Sequence, residues 1–180
     1  MNIKINKKPS FKILVKEGNI GGDIEVRIYP PVKRTVKIVG RTYFLQFPYV
    51  IFGKYSGRNE NGHKGSWLHV AFANRKLRSL AKMIYFPPFG NIVREEWVVC
   101  LDVDDGHYLQ SYDSTFEDLI HKFWNHTFSD SYLSRPFGDR YHTWQKMSLD
   151  EVLKAVSETL IKKSLSSFIQ IVEKGEGSDY

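Results

Sequence analysis

The sequence predicts an α+β domain: an antiparallel strand meander followed by C-terminal helices, with an extra basic, strand-rich segment ahead of them. Three observations carry this prediction. Apolar and polar residues alternate through the first half, two Ser-x-x-Glu capping patterns open three-to-four-residue apolar periods in the second half, and no repeat, low-complexity tract or linker separates the halves. The expected division is a basic segment over residues 1–42, the α+β domain over 43–172 and a frayed tail over 173–180.

In DIEVRIY, Asp23 to Tyr29, the side chains Ile24, Val26 and Ile28 share one face while Glu25 and Arg27 take the other. VKRTVKIV, from Val32, alternates in a similar way, and Gly21-Gly22 with Pro30-Pro31 punctuate the two, so a basic hairpin or meander is expected. Three further strands follow: FPYVIFGKY (Phe47 to Tyr55), WLHVAFA (Trp67 to Ala73) and KMIYFPPF (Lys82 to Phe89). The polar, glycine-rich SGRNENGHKG between the first two has no apolar face to bury, which predicts a hairpin with a mobile tip. NRKLRSLAK, before the third, reads as a short helical turn or an irregular crossing.

Ser114-x-x-Glu117 predicts a helix N-terminus, and Phe116, Leu119, Ile120, Phe123 and Trp124 then recur at helical spacing. Ser148-x-x-Glu151 predicts a second helix through Val152, Leu153, Val156, Leu160 and Ile161 toward Val172. Between them SDSYLSRPFGDRYHTW is aromatic and irregular.

A chain of 180 residues buries a core without staples. Its single cysteine forms no internal bridge, its opening MNIKINKKPSFKILV has no continuous apolar signal region, and no stretch has the length of a membrane span. The expectation is a cytoplasmic protein with no membrane role. The net charge of +6 is uneven: residues 1–46 carry ten Lys/Arg against three Asp/Glu, a balance of +7, and residues 47–180 a balance of −1. A footprint for nucleic acid or an acidic partner therefore belongs to the N-terminal quarter, with Lys33, Arg34, Lys37 and Arg41 placed to meet phosphates. A solvated strand face is the competing reading.

Several chemistries find no support in the pattern. Structural zinc wants paired Cys or His ligands at short spacing; there is no second cysteine, and His121 and His126 are five residues apart, on different sides of a helix. DVDDGH, from Asp102, fails the calcium-loop register because Gly106 stands at the fifth position rather than the sixth, and an acidic surface turn is the favoured reading over a divalent ion held by Asp102 and Asp104. Neither phosphate-binding glycine pattern is present, nor the serine nucleophile elbow. No metal and no cofactor is expected.

Cys100 remains. Lone cysteines are most often inert packing residues, and Glu95, Glu96, Asp102, Asp104 and Asp105 oppose a thiolate if they lie close by. A cysteine that receives an acyl group from an existing thioester needs much less activation than a protease nucleophile, because the donor is already reactive.

The order of parts then becomes informative. A proline-bearing strand exit (Tyr85 to Phe89), Asn91-Ile92, and Val99-Cys100-Leu101-Asp102 ahead of helices resemble the ubiquitin-conjugating enzymes, with their His-Pro-Asn-Ile and Ile-Cys-Leu-Asp segments. Phe89-Gly90 stands in place of His-Pro, and the basic strands replace the family's N-terminal helix. These departures resemble the divergent bacterial relatives carried on mobile elements, such as the plasmid-borne PRTRC protein B family, and FEDLIHKFWNHTFSDSY is similar to that family's Phe-rich helix. The resemblance implies a ubiquitin-conjugating-like fold over residues 43–172, with Cys100 as the thioester-forming residue. It implies Asn91 as donor to the oxyanion or holder of its loop, and a ubiquitin-like protein and its activating enzyme as partners. Asp102 or acids in the loop from Asp130 to Asp139 would orient or deprotonate the attacking amine, with His107 a weaker choice. Two alternatives stay open: the same fold as an inactive binding or structural component, and a nucleic-acid-associated protein of a phage or plasmid.

Overall fold

The computed structural model describes residues 11–15, 22–58, 62, 64–89, 91–101, 113–128, 137 and 141–174. It is an α+β fold with an antiparallel strand meander and C-terminal helices.

The main sheet is built from β1 (Phe11–Val15), β2 (Asp23–Tyr29), β5 (Tyr49–Arg58), β6 (Lys64–Ala73), β7 (Met83–Tyr85) and β9 (Lys162–Ser164), side by side in that order and antiparallel throughout. The β5–β6 pair is the hairpin expected around the glycine-rich loop, in register from Tyr49 opposite Ala73 to Arg58 opposite Lys64.

The basic segment does not stay in one sheet. β3 (Val32–Ile38) and β4 (Arg41–Phe47) form a hairpin that leaves the main sheet between β2 and β5, and β8 (Thr127–Phe128) joins β3 in parallel. The turn at Val39-Gly40 has φ of 47° and 72°, the left-handed pair of a two-residue hairpin loop. The expected division between residues 42 and 43 thus falls inside β4, and Val36 and Ile38 on one side share a core with Tyr43 and Leu45 on the other.

Among the described residues four helices cover the sheets: α1 (Phe116–Asn125), α2 (Tyr141–Lys146), α3 (Leu149–Ser157) and α4 (Leu165–Lys174). The α1 cap is Thr115 with Asp118, one residue later than the predicted Ser114 and Glu117. Glu117 is drawn away by Arg27, which donates to it and to Glu25 and lies over the Phe116 ring. Ser114 instead accepts Lys54 Nζ at 2.6 Å through its carbonyl. For α3 the predicted box forms as read, with Ser148 and Glu151 bonding reciprocally. The predicted long second helix breaks: α3 ends at Ser157, Leu160 stands 93% exposed, and residues 162–164 pair with β7 before α4 begins. Ser164 caps α4, its Oγ accepting from Ser167 N–H at 3.1 Å. α2 arises in the stretch read as irregular; Trp144 is buried and donates through Nε1 to Gln46 O at 2.8 Å, tying the helix to β4.

The main sheet is covered on both faces, which is why β6 is buried from Gly65 to Ala73. Phe52 on β5 meets Phe123 and Trp124 of α1, while the neighbouring Gly53 faces the other way, toward Phe168 and Val172 of α4. On the α1 side, Phe47, Phe72, Phe89, Phe128 and Trp144 interlock with ring centroids 4.3–6.4 Å apart. Such aromatic payload makes one continuous core of both sheets.

Candidate active site

After β7 the chain runs through Phe86-Pro87-Pro88-Phe89, all buried, and Phe89 anchors the exit by stacking on Phe128 at 4.3 Å. Residues 91–100 then fold into a closed hairpin. Cys100 N–H donates to Asn91 O at 2.8 Å, Asn91 Nδ2 donates back to Cys100 O at 3.3 Å, Ile92 and Val99 bridge, and Val93 N–H donates to Val98 O at 2.9 Å. Trp97 N–H closes the tip on Val93 O at 2.7 Å.

The returning limb docks on the edge of β6 that β7 leaves uncovered. Val70 N–H donates to Trp97 O at 3.0 Å, Val99 N–H donates to Leu68 O at 2.7 Å, and His69 bridges Val98. β7 itself reaches β6 only at Phe72 opposite Tyr85, so the Cys100 limb completes the sheet where β7 stops. Ile92, Trp97, Val98, Val99 and Leu101 are buried, while Asn91 and Cys100 are half-buried at the mouth of the hairpin. The apolar neighbours clamp the backbone and leave Cys100 and Asn91 half-buried at its opening.

Of the predicted site residues, Cys100 and Asn91 are therefore brought together across the hairpin. Asn91 Nδ2 is engaged by the Cys100 carbonyl, an arrangement suited to holding the loop, and its buried Oδ1 has no hydrogen-bond partner among the described residues. Asp102, His107 and the acids from Asp130 to Asp139 lie outside the described residues, so the base is not placed by the structure.

The four basic residues assigned to phosphates separate. Lys33 and Lys37 are exposed on the outer face of β3, but Arg34 turns inward, its guanidinium 4.4 Å from the Trp124 ring centroid, where burial lowers its pKa. Arg41 pairs with Ile38 at the hairpin turn, on the strand phase of Tyr43 and Leu45 rather than that of Lys33 and Lys37. Alternation along β3 imposes this split, since residues one apart face opposite ways. The outer face also carries Phe44, 53% exposed opposite Thr35. Among the described residues no group of three or more His, Cys, Asp or Glu side chains gathers as a metal site, and no helix is long and apolar enough to cross a membrane.

One residue beside the site has no forewarning in the sequence pattern. His69, on β6, is fully buried; its Nδ1 lies 2.9 Å from Glu96 O in the Cys100 hairpin, and its ring meets Phe168 edge-on at 6.4 Å. Burial pushes the imidazole down to about 4, against the smaller opposing effect of its bond to the Glu96 carbonyl. A histidine inside an unbroken apolar strand is invisible to alternation, because both faces of β6 are covered.

Compared with known proteins, the chain matches no family model, no curated protein and no solved structure.

Proposed function

We propose that this chain is a ubiquitin-conjugating-like protein that carries a ubiquitin-like modifier as a thioester on Cys100 and passes it to an amine. The observation that carries the reading is the Asn91–Cys100 pairing: a half-buried cysteine whose backbone N–H and carbonyl are held at the mouth of a hairpin by the carbonyl and side-chain amide of the asparagine nine residues before it. An acyl carrier is served by such a frame, because a fixed backbone limits where the incoming carbonyl must meet the sulfur.

In the first step Cys100 Sγ, as thiolate, attacks the carbonyl carbon of a modifier thioester, and the donor's sulfur leaves as a thiolate. In the second, an amine attacks the Cys100 thioester, the C–S bond breaks, Cys100 departs as thiolate and the amine proton passes to a base. The Asn91 amide steadies the carbonyl of the cysteine itself, so its part is to hold the loop. The partners are a ubiquitin-like protein and the activating enzyme that supplies it.

The test needs no activating enzyme. The folded chain is mixed at neutral pH with a peptide ending in Gly-Gly as a small-molecule thioester, and intact mass is followed. The expected result is one adduct that hydroxylamine removes and that Cys100→Ala does not form. Failure of native Cys100 to react, with ready alkylation after denaturation, makes it a core residue and ends the transfer reading.

A further inference from the structure

We propose that His69 is the positioning residue of the Cys100 hairpin, a buried latch that holds the thiol loop against β6; its bearing on acyl transfer rests on the reading of Cys100 above.

The tautomer follows from the partner. A carbonyl only accepts, so the Nδ1 atom 2.9 Å from Glu96 O carries the proton and Nε2 is a bare acceptor. That Nε2 is buried with no hydrogen-bond partner among the described residues. A polar ring kept in an apolar core with one nitrogen unsatisfied is costly, and leucine would fill the same space without that cost. What the ring supplies that leucine does not is the Nδ1 donor, and that donor is spent on the thiol hairpin.

The bond falls where the hairpin is least able to hold itself. Trp97, the next residue, has φ of 56°, a left-handed conformation that a bulky residue adopts only when its surroundings impose it. Its indole is fully buried between Phe86 at 5.6 Å and Phe168 at 5.9 Å, with Lys163 Nζ 4.7 Å from the ring centroid. His69 thus fixes the carbonyl entering this reversal while the rings fix the side chain leaving it. From Trp97 the chain runs straight along β6 to Cys100, so an error at residue 96 is carried to the sulfur. Phe168 touches both rings, which links the latch to α4.

The full chain is compared as wild type, His69→Asn, whose amide nitrogen stands near the Nδ1 position, and His69→Leu, which keeps the bulk and removes the donor. Hydrogen exchange of the Val99 and Cys100 amides and the iodoacetamide alkylation rate of Cys100 are read against exchange in β5. His69→Leu is expected to speed loop exchange by about fivefold to tenfold relative to β5 and to change the alkylation rate with it, and His69→Asn to restore both. Equal behaviour of the two variants, or changes that merely follow β5, overturns the proposal. Should His69→Leu fail to fold, long-range 1H–15N correlation on the wild type decides alone: an Nδ1–H tautomer supports the latch and an Nε2–H tautomer refutes it. These readouts require no acyl transfer. A latch that behaves as expected in a chain that forms no thioester would fail the proposed function and leave the latch standing; normal thioester formation with no response to His69 would do the reverse.

Discussion

Acidification should destabilise this protein through His69. The imidazole is fully buried and held neutral, its pKa pushed from 6.5 to about 4 by burial. Above pH 6.5 neither the folded nor the unfolded chain protonates it, so there it adds no pH dependence to stability. As the pH falls below 6.5 the unfolded chain takes up the proton first, so stability declines until the folded imidazole also titrates near 4. At about 1.4 kcal/mol per pH unit, the span from 6.5 to about 4 limits the loss to about 3 kcal/mol. That is a large share of the stability of an ordinary domain. Urea unfolding followed by tryptophan fluorescence at several pH values between 7 and 4.5, on wild type and His69→Asn, isolates the effect as a difference in slope. Carboxylates act equally in both chains: Asp118 and Glu151, lowered by bonds to their caps, lose their contribution only as the pH falls below the ordinary carboxylate range. The expected result is a wild-type curve that falls more steeply over this window than the variant's. Parallel curves would refute the argument, because they would mean that His69 binds its proton equally in both states.

Four further outcomes are expected. Asn91→Ala, which removes the donor to Cys100 O, should slow adduct formation from a Gly-Gly thioester by about tenfold; a loss of a hundredfold or more would instead place the amide on the oxyanion. Val39→Asn should raise stability by about 1 kcal/mol, read as a higher urea midpoint, since Val39 is 57% exposed at φ 47° and asparagine tolerates that conformation. Gly53→Ala places a Cβ 2.6 Å from Val172 Cγ2 and 3.2 Å from Phe168 Cε1; it should cost about 1–3 kcal/mol by lifting α4, with hydrogen exchange rising in that helix. Trp144→Phe leaves the Gln46 carbonyl without its indole donor and should cost about 1–3 kcal/mol by the same urea assay.

Much of the chain was legible where a pattern has a single structural solution. DIEVRIY became β2 with the predicted bounds, because alternation over seven residues fits only a half-buried strand. Ser148-x-x-Glu151 became the cap it resembled, since both bonds of the box lie within four residues. Asn91 and Cys100, nine residues apart, are joined by the local cross-bonds of a short hairpin.

What the sequence determined by itself, then, is the α+β class, the strand and helix faces, and the local cap and hairpin chemistry. Tertiary structure decided wherever an element had a distant partner to satisfy. Residues 162–164 carry helical spacing but pair with β7, because the main sheet has an open edge there. Glu117 reads as a capping residue but serves Arg27, ninety residues earlier in the chain. The basic run of β3 reads as one patch, but its strand is covered on one side by Trp124 and open on the other, and so it parts. His69 is an apolar-strand residue in sequence and becomes the donor to the Cys100 hairpin only once β6 and that hairpin meet edge to edge. Local patterns record what a residue does to its neighbours within a turn or a strand; the identity of a long-range partner is a property of the assembled sheet.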